Sequence, residues 1–497
     1  MNIAELLERT AREMPDKAAL VFGDESISYG ELDEKANRIA NTLRSMGVEK
    51  GSHVALLISY NPQWLINYFG IVKAGARSII LNSMLKAPEY DLLLRDSDSE
   101  VLITERAFTQ MLASVLPDLP RLKHVVEIDA ESYGEMLDRA SPQAPVVPMD
   151  DSEETAIIYT SGVLGRQKGV VHTHSSLMAA VTEVAPGLEQ RADDVVVGMI
   201  PFFYALGLLV VALVSALKGS TMVLVARFTP RGVLEIVDRE KATILVGVPA
   251  MFNALAMADE EAVGGCDLSY LRLALTAGAK SSAHLMEMLE RRYGLTLCEV
   301  YGTTESLASV FGTLRNRKLG KAGKAVQEFK LIDPEGNDVP PGEIGEFVCR
   351  SPMLMEGYYA APELTAQVLR DGWFYTGDLL RMDEDGYLEY IEKKSFIIVT
   401  SAGVKIQPTE VEDALLKHPA VAEAAYVGVE DQHGGQVPTL FVVTKEGQQV
   451  GKQELRHFLG RSLADFKLPR EIRFIESIPK TGSGKMARGL LKRPQGR

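Results

Sequence analysis

Tyr159-Thr160-Ser161-Gly162-Val163-Leu164-Gly165-Arg166-Gln167-Lys168-Gly169-Val170 is the stretch whose reading decides the fold. It continues the apolar run Ala156-Ile157-Ile158, which with Tyr159 reads as a buried strand, so a glycine-rich turn carrying Arg166 and Lys168 leaves the end of a sheet. Glycines let backbone N–H groups turn inward as an anion nest, Thr160 and Ser161 offer hydroxyl donors, and Lys168 brings a compact charge to a triphosphate. It is not a Walker loop, because Lys168 is followed by Gly169 where that motif needs the hydroxyl residue that meets magnesium. On its own the stretch is equally a surface loop, and its meaning depends on partners elsewhere in the chain.

At 497 residues the chain is too long for one core, and several domains are expected. Hydrophobic residues make up 46% and charged residues 24%, as in globular proteins, and 53 Lys+Arg against 67 Asp+Glu give a net charge of −14. That sign argues against nucleic-acid binding. Cys266, Cys298 and Cys349 are far apart, odd in number and without neighbours at metal-ligand spacing, which predicts reduced, mostly buried thiols. From Met1 to Lys17 acidic residues accompany apolar residues at helical spacing, unlike a secretory signal, and a cytoplasmic location is expected. Gly198 to Leu217 is uncharged over the length of a membrane span. Pro201 and Gly207 interrupt it and a strand-like run follows at Thr221, so a buried helix leading from a pocket is the better reading.

Outward from the turn, short apolar runs alternate with helical patterns: strand-like Val54 to Ile58, helical Gln63 to Lys73, then strand-like Ser78 to Leu81, Val195 to Ile200, Ile244 to Val248 and Leu271 to Ala277. This rhythm predicts an α/β fold with two α/β lobes. Beyond Pro340 short strands and turns, including Tyr375 to Asp378, suggest a small β-rich subdomain. After the charged run Glu392-Lys393-Lys394 come about a hundred residues of βαβ pattern, and a domain boundary is expected there. The domains are thus residues 1–391, a hinge at 392–396, and a small α+β domain at 397–497.

Tyr301-Gly302-Thr303-Thr304-Glu305 follows another apolar segment. Its ring can stack on a base, its hydroxyls can donate to phosphate, and Glu305 can hold magnesium through oxygen. Asp378, read as lying on a turn, can accept from ribose hydroxyls or cap the turn.

Together these motifs resemble the adenylate-forming superfamily of acyl-CoA synthetases, luciferases and peptide-synthetase adenylation domains, over essentially the whole chain. The glycine-rich signature resembles Thr160 to Val170, the aromatic-Gly-hydroxyl-Thr-Glu motif Tyr301 to Glu305, the Thr-Gly-Asp motif Thr376 to Asp378, and the C-terminal Pro-Lys-Thr-x-x-Gly-Lys motif Pro479 to Lys485. Gly247-Val248-Pro249, Ala277-Gly278-Ala279 and Gly357-Tyr358 add support. The resemblance implies that a carboxylate attacks the α-phosphorus of ATP to give an acyl-adenylate, after which a thiol, usually coenzyme A, displaces AMP. It implies catalytic roles for Lys485, Thr304 and Glu305, with Glu305 on Mg2+. Nucleotide contacts are implied for Thr160, Ser161, Gly162, Gly165, Lys168, Gly278, Ala279, Glu299, Tyr301, Gly302, Thr303, Asp378 and Lys393. The acid would meet Phe203, Tyr204, Gly207, Val248, Gly278 and Gly302, and a mobile C-terminal domain would bring Ser401, Ala402 and Gly403 to coenzyme A.

The chain departs from the family pattern at four places. Val163 and Leu164 stand where hydroxyl residues are usual, Gln167 replaces a proline, Tyr204 replaces a histidine, and Lys393 stands for the hinge arginine while the hinge aspartate is lost. Phe202-Phe203-Tyr204-Ala205 has no carboxylate to pair with an amino-acid ammonium, so a medium- or long-chain fatty acid is expected ahead of an aryl acid, with Phe202, Phe203, Met251, Phe252 and Leu206 to Leu217 as apolar lining. The alternatives are an acyl-AMP ligase that loads an acyl-carrier protein, and a catalytically weakened binding homologue. A homodimer stays open.

Overall fold

The computed structural model describes residues 2–160, 167–259, 264–399, 405–406, 408–430, 436–461, 463, 465–480 and 486–492. By compactness the chain divides into one unit of Met1–Glu328 with Cys349–Phe374 and a second of Phe329–Val348 with Tyr375–Arg497. The β-rich residues 329–348 therefore group with the C-terminal region.

The two lobes expected from the α/β rhythm are two sheets of the first unit. One has nine strands in the order Lys324–Ala325, Val310–Phe311, Leu297–Tyr301, Leu273–Ala277, Ile244–Gly247, Val195–Gly198, Thr221–Leu224, Ala18–Phe22 and Glu25–Ser28. The other has seven, in the order Gly357–Tyr358, Lys168–Thr173, Glu154–Thr160, Arg77–Ile80, His53–Leu57, Val101–Thr104 and His124–Glu127. The middle strands of both run parallel.

Alternation of side chains along each strand separates three cores. Val54, Leu56 and Val196 join a central core with helices Tyr29–Ser45, Pro62–Lys73 and His174–Leu188. Ala55 and Leu57 face a second core with Tyr90 and Leu93, and Val197 a third with Val233 and Leu234. Helices thus lie between the sheets and outside each. Strands buried on both faces must be apolar throughout, which is why they read so clearly as continuous Val/Leu/Ile runs.

The uncharged run becomes Gly207–Val214, a wide π-type helical segment, continuing into Ser215–Lys218. All of Gly207–Val214 is buried, and among the described residues no helix is long and apolar enough to cross a membrane. Gly207 is required here, since a Cβ at this position would lie 2.3 Å from the Pro201 carbonyl oxygen.

Two expectations for the C-terminal half are corrected. Thr376, Gly377 and Asp378 are not on a turn: they lie inside the strand Trp373–Met382, which pairs antiparallel with Leu388–Lys393 and sets Asp378 opposite Lys393. The C-terminal pattern is not purely βαβ. Val421–Glu430 and Gln436–Thr444 are antiparallel, because the residues between them are too few for a crossover helix. Gln436–Thr444 and Glu471–Phe474 are parallel, with the helix Lys452–Gly460 in the connection between them.

Candidate active site

In the first unit the site is built on a tight reversal. The buried strand Leu297–Tyr301 turns back into Val310–Phe311, with Val300 opposite Phe311 and Tyr301 opposite Val310. Gly302 makes the reversal possible, because a Cβ there would stand 1.6 Å from the Leu307 carbonyl oxygen. Inside the turn Ser306 N–H donates to Thr303 Oγ1 at 3.2 Å, and Ser309 Oγ donates to Ser306 Oγ at 2.8 Å.

The turn is also gripped from outside at three points. The Thr304 carbonyl accepts from His172 Nε2 at 2.8 Å, the Glu305 carbonyl accepts from Met355 N–H at 2.8 Å, and Glu305 Oε1 accepts from the Tyr358 hydroxyl at 2.7 Å. A carbonyl only accepts, so the His172 proton sits on Nε2, and Nδ1, 3.0 Å from Ser176 Oγ, is the acceptor. Burial pushes the His172 pKa down to about 4, against weaker opposing effects of the Thr304 bond and Glu305, which keeps the ring neutral near pH 7.

His172 shares its strand, Lys168–Thr173, with the lysine of the glycine-rich stretch. That strand pairs antiparallel with Glu154–Thr160, setting Thr160 opposite Lys168, so the glycine-rich stretch is the connection of a hairpin. Ser161, Gly162, Val163, Leu164, Gly165 and Arg166 lie outside the described residues. Lys168 Nζ sits 4.6 Å from the centre of the Tyr358 ring, and Tyr358 is paired through its backbone opposite Val170. Lys168, Val170 and His172 alternate onto one face of the strand, a spacing that could have singled out His172 from sequence.

Glu299, in the middle of Leu297–Tyr301, is buried and accepts the Ser281 N–H at 2.7 Å. It thereby braces the connection that carries Gly278 and Ala279, both exposed. On the acid side the expected lining is narrower than the sequence suggests. Phe202 packs into the central core at 4.9 Å from the Tyr60 ring and 5.3 Å from the Trp64 ring, and Phe252 belongs to the core on the outer face of the nine-stranded sheet. Hydrophobicity alone does not say which core an aromatic joins. Phe203 and Tyr204 have ring centres 4.4 Å apart with planes tilted by 53°; Tyr204 and Val248 are half-buried and Gly207 is buried. Burial, partly offset by Asn82, raises the Tyr204 hydroxyl to about 12.

In the second unit, Thr376 Oγ1 donates to the Phe347 carbonyl at 2.6 Å and accepts from Asp378 N–H at 3.0 Å. Asp378, buried, accepts from Lys393 Nζ at 2.7 Å, and Gly377 N–H donates to Glu346, whose other oxygen takes Lys394 at 2.7 Å. Both lysines of the run Glu392-Lys393-Lys394 are therefore engaged, and Lys393 is the residue that meets Asp378. Lys485 and Ser401, Ala402 and Gly403 lie outside the described residues; Lys480 and Met486, either side of the Lys485 segment, form a β-bridge. Cys298 and Cys349 are buried free thiols, as expected, and Cys266 is half-buried.

The model of the AMP-binding enzyme family matches residues 7–359, and that of the AMP-binding enzyme C-terminal domain matches residues 410–485. A feruloyl-CoA synthase of Amycolatopsis sp is 36% identical over 490 residues, covering 98% of this chain and 97% of its own length. A long-chain-fatty-acid–CoA ligase of Mycobacterium tuberculosis is 30% identical over 501 residues, covering 99% and 98%. The crystal structure of an anthranilate CoA ligase in complex with anthranoyl-AMP aligns with a TM-score of 0.91 at 29% identity, over 99% of this chain and 96% of that one. With both family models matching in order and relatives aligned end to end, the chain belongs to the AMP-binding enzyme family, the adenylate-forming superfamily, and is an AMP-forming acid–thiol ligase.

Proposed function

We propose that the protein activates a hydrophobic carboxylic acid, an aryl or arylalkenyl acid ahead of a fatty acid, and passes it to coenzyme A. The acid's carboxylate oxygen bonds to the α-phosphorus of ATP as the bond to pyrophosphate breaks. The thiol sulfur then bonds to the acyl carbon of the adenylate and AMP leaves. The observation that carries this reading is the Tyr301–Glu305 turn, whose backbone and carboxylate are held at three points. Reactions at phosphorus depend on positioning and charge neutralisation, so a preset carboxylate and donors are the parts such chemistry needs.

In this reading Thr160, Ser161, Gly162, Gly165 and Lys168 hold the phosphates, Tyr301, Gly302, Thr303, Gly278 and Ala279 border the nucleotide, Asp378 and Lys393 take the ribose, and Lys485 neutralises the reacting carboxylate and α-phosphate. Ser401, Ala402 and Gly403 take coenzyme A. Among the described residues no group of three or more His, Cys, Asp or Glu could cage a metal. A single half-buried carboxylate, Glu305, fits a magnesium ion that arrives with ATP and draws its other ligands from phosphate and water.

For the acid, the feruloyl and anthranilate relatives favour a ring. So does the half-buried Tyr204, whose ring and phenol suit a planar acid better than an alkyl chain. The fatty-acid reading is kept by the mycobacterial relative and the buried segment Gly207–Val214. Pyrophosphate release with ATP and magnesium, across cinnamic, benzoic and fatty acids with and without coenzyme A, tests all of this. Thioester from an aryl acid supports the proposal, and thioester from fatty acids alone moves the assignment to them. Adenylate that reacts only with a pantetheine carrier protein replaces the acceptor, and ATP binding without pyrophosphate release defeats the proposal.

A further inference from the structure

We infer that Tyr358 is a positioning residue that ties the phosphate-binding Lys168 to the metal-binding Glu305, using two separable parts of one side chain. The inference rests on the roles proposed above for those two residues. Tyr358 is itself immobilised: it is 6% exposed, its backbone pairs opposite Val170, and its N–H donates to Thr365 Oγ1 at 2.9 Å. Its ring lies 4.6 Å from Lys168 Nζ, within cation–π reach, and its hydroxyl donates to Glu305 Oε1 at 2.7 Å. A carboxylate oxygen only accepts, so the proton of this bond is the phenol's.

The two contacts act on different partners. With Oε1 held by the phenol, the Glu305 carboxylate cannot rotate freely, and one fixed face is presented to a metal. The ring's negative face holds the Lys168 ammonium without consuming any of its N–H donors, which remain available to phosphate oxygens. A single rigid side chain thus spaces the cation and the carboxylate that must grip opposite charges of one magnesium–triphosphate unit.

The test uses the full chain without any acid substrate, so that no turnover occurs. ATP affinity in EDTA is measured by calorimetry, Mn2+ affinity of the ATP complex by electron paramagnetic resonance, and unfolding by melting temperature. Tyr358→Phe keeps the ring and loses the hydroxyl: metal-free ATP affinity stays within about twofold, and Mn2+ affinity falls by roughly tenfold, as when a group orienting a metal ligand is removed. Tyr358→Leu loses both and weakens metal-free ATP binding as well, by at least about threefold. Unchanged Mn2+ affinity in Tyr358→Phe overturns the inference, and so does equal loss of both affinities in the two variants. Wild-type protein that binds no ATP would instead defeat the functional reading beneath it, and Tyr358→Phe alone decides the hydroxyl's role should Tyr358→Leu fail to fold.

Discussion

Arg488 is approached by two buried carboxylates, and they are not equivalent. Glu412, on the helix Pro408–Leu415, binds both guanidinium nitrogens, Oε2 taking Nη2 at 2.7 Å and Oε1 taking Nη1, and Oε1 also accepts Tyr426 N–H at 2.5 Å. Glu392 has Oε1 on Lys393 N–H at 3.0 Å, but its Oε2, 3.2 Å from Arg488 Nη2, lacks hydrogen-bond geometry. Burial therefore outweighs the guanidinium at Glu392 and pushes its pKa up to about 7, with Glu412 and Asp378 acting in the same direction as burial. A carboxyl whose folded pKa lies above the unfolded value of about 4.3 favours the folded state when protonated. Its cost is absent below the unfolded value, grows as pH rises through the window, and is complete above the folded value. Glu392→Gln, which cannot ionise, should leave stability near pH 4 little changed and raise it near pH 8 by roughly 2–4 kcal/mol. Glu412→Gln should destabilise by about 3–5 kcal/mol at both, since it strips a buried arginine of its two-point partner. Hydrogen exchange in peptides covering Val421–Glu430 and Arg488–Leu491 reads the local stability of these elements without assuming two-state unfolding of the whole chain. A Glu392→Gln variant that is destabilised equally at both pH values would show Glu392 to be ionised and paired with Arg488, and the reasoning would fail.

Three further outcomes are expected. Lys485→Ala should lower acyl-adenylate formation by at least about a hundredfold while thioester formation from supplied acyl-adenylate stays much less affected; equal loss in both half-reactions refutes the assigned role. Gly302→Ala places a Cβ 1.6 Å from the Leu307 carbonyl oxygen, so pyrophosphate release should vanish and the melting temperature fall, and a variant with wild-type kinetics would contradict the turn geometry. His172→Leu leaves the Thr304 carbonyl without its 2.8 Å donor, which should cost about 1–3 kcal/mol of stability and reduce adenylation, whereas His172→Asn, able to donate from its amide, should recover part of both.

Legibility in the sequence followed the range of the interaction. Parallel strands buried on both faces announce themselves locally, so Ser78 to Leu81 was read within a residue of the observed Arg77–Ile80, and Ile244 to Val248 of Ile244–Gly247. Thr376-Gly377-Asp378 has residue types that favour turns, yet pairing with Leu388–Lys393 carries it within a strand, and the turn preference survives only as the positive φ of Gly377. Phe202 and Phe252, expected as apolar lining of the acid site, pack into two different cores, since apolarity fixes burial and not the partner. The bond from His172 to the Thr304 carbonyl spans 132 residues of sequence and joins a strand face to a turn carbonyl, a contact with no residue-type signature at its far end.

The exchange of arginine for lysine at position 393 has a consequence that the strand register makes concrete. Asp378 and Lys393 face each other because the backbones pair there, so the contact does not depend on a chance meeting of long side chains. What does depend on the side chain is its shape. Lys393 Nζ reaches one carboxylate oxygen at 2.7 Å and lies 3.4 Å from the Thr376 carbonyl, acting as a point charge shared between two acceptors. An arginine fork would instead grip both carboxylate oxygens at once and hold their plane fixed. If the C-terminal residues rotate about 392–396, as members of this family are expected to do, the lysine gives up one bond to the carboxylate, beside its longer one to the Thr376 carbonyl, where the fork would give up two to the carboxylate. The same exchange leaves Asp378 less rigidly oriented toward the ribose proposed for it, so easier rotation and looser nucleotide grip are two effects of one substitution, and an arginine at 393 should move both together.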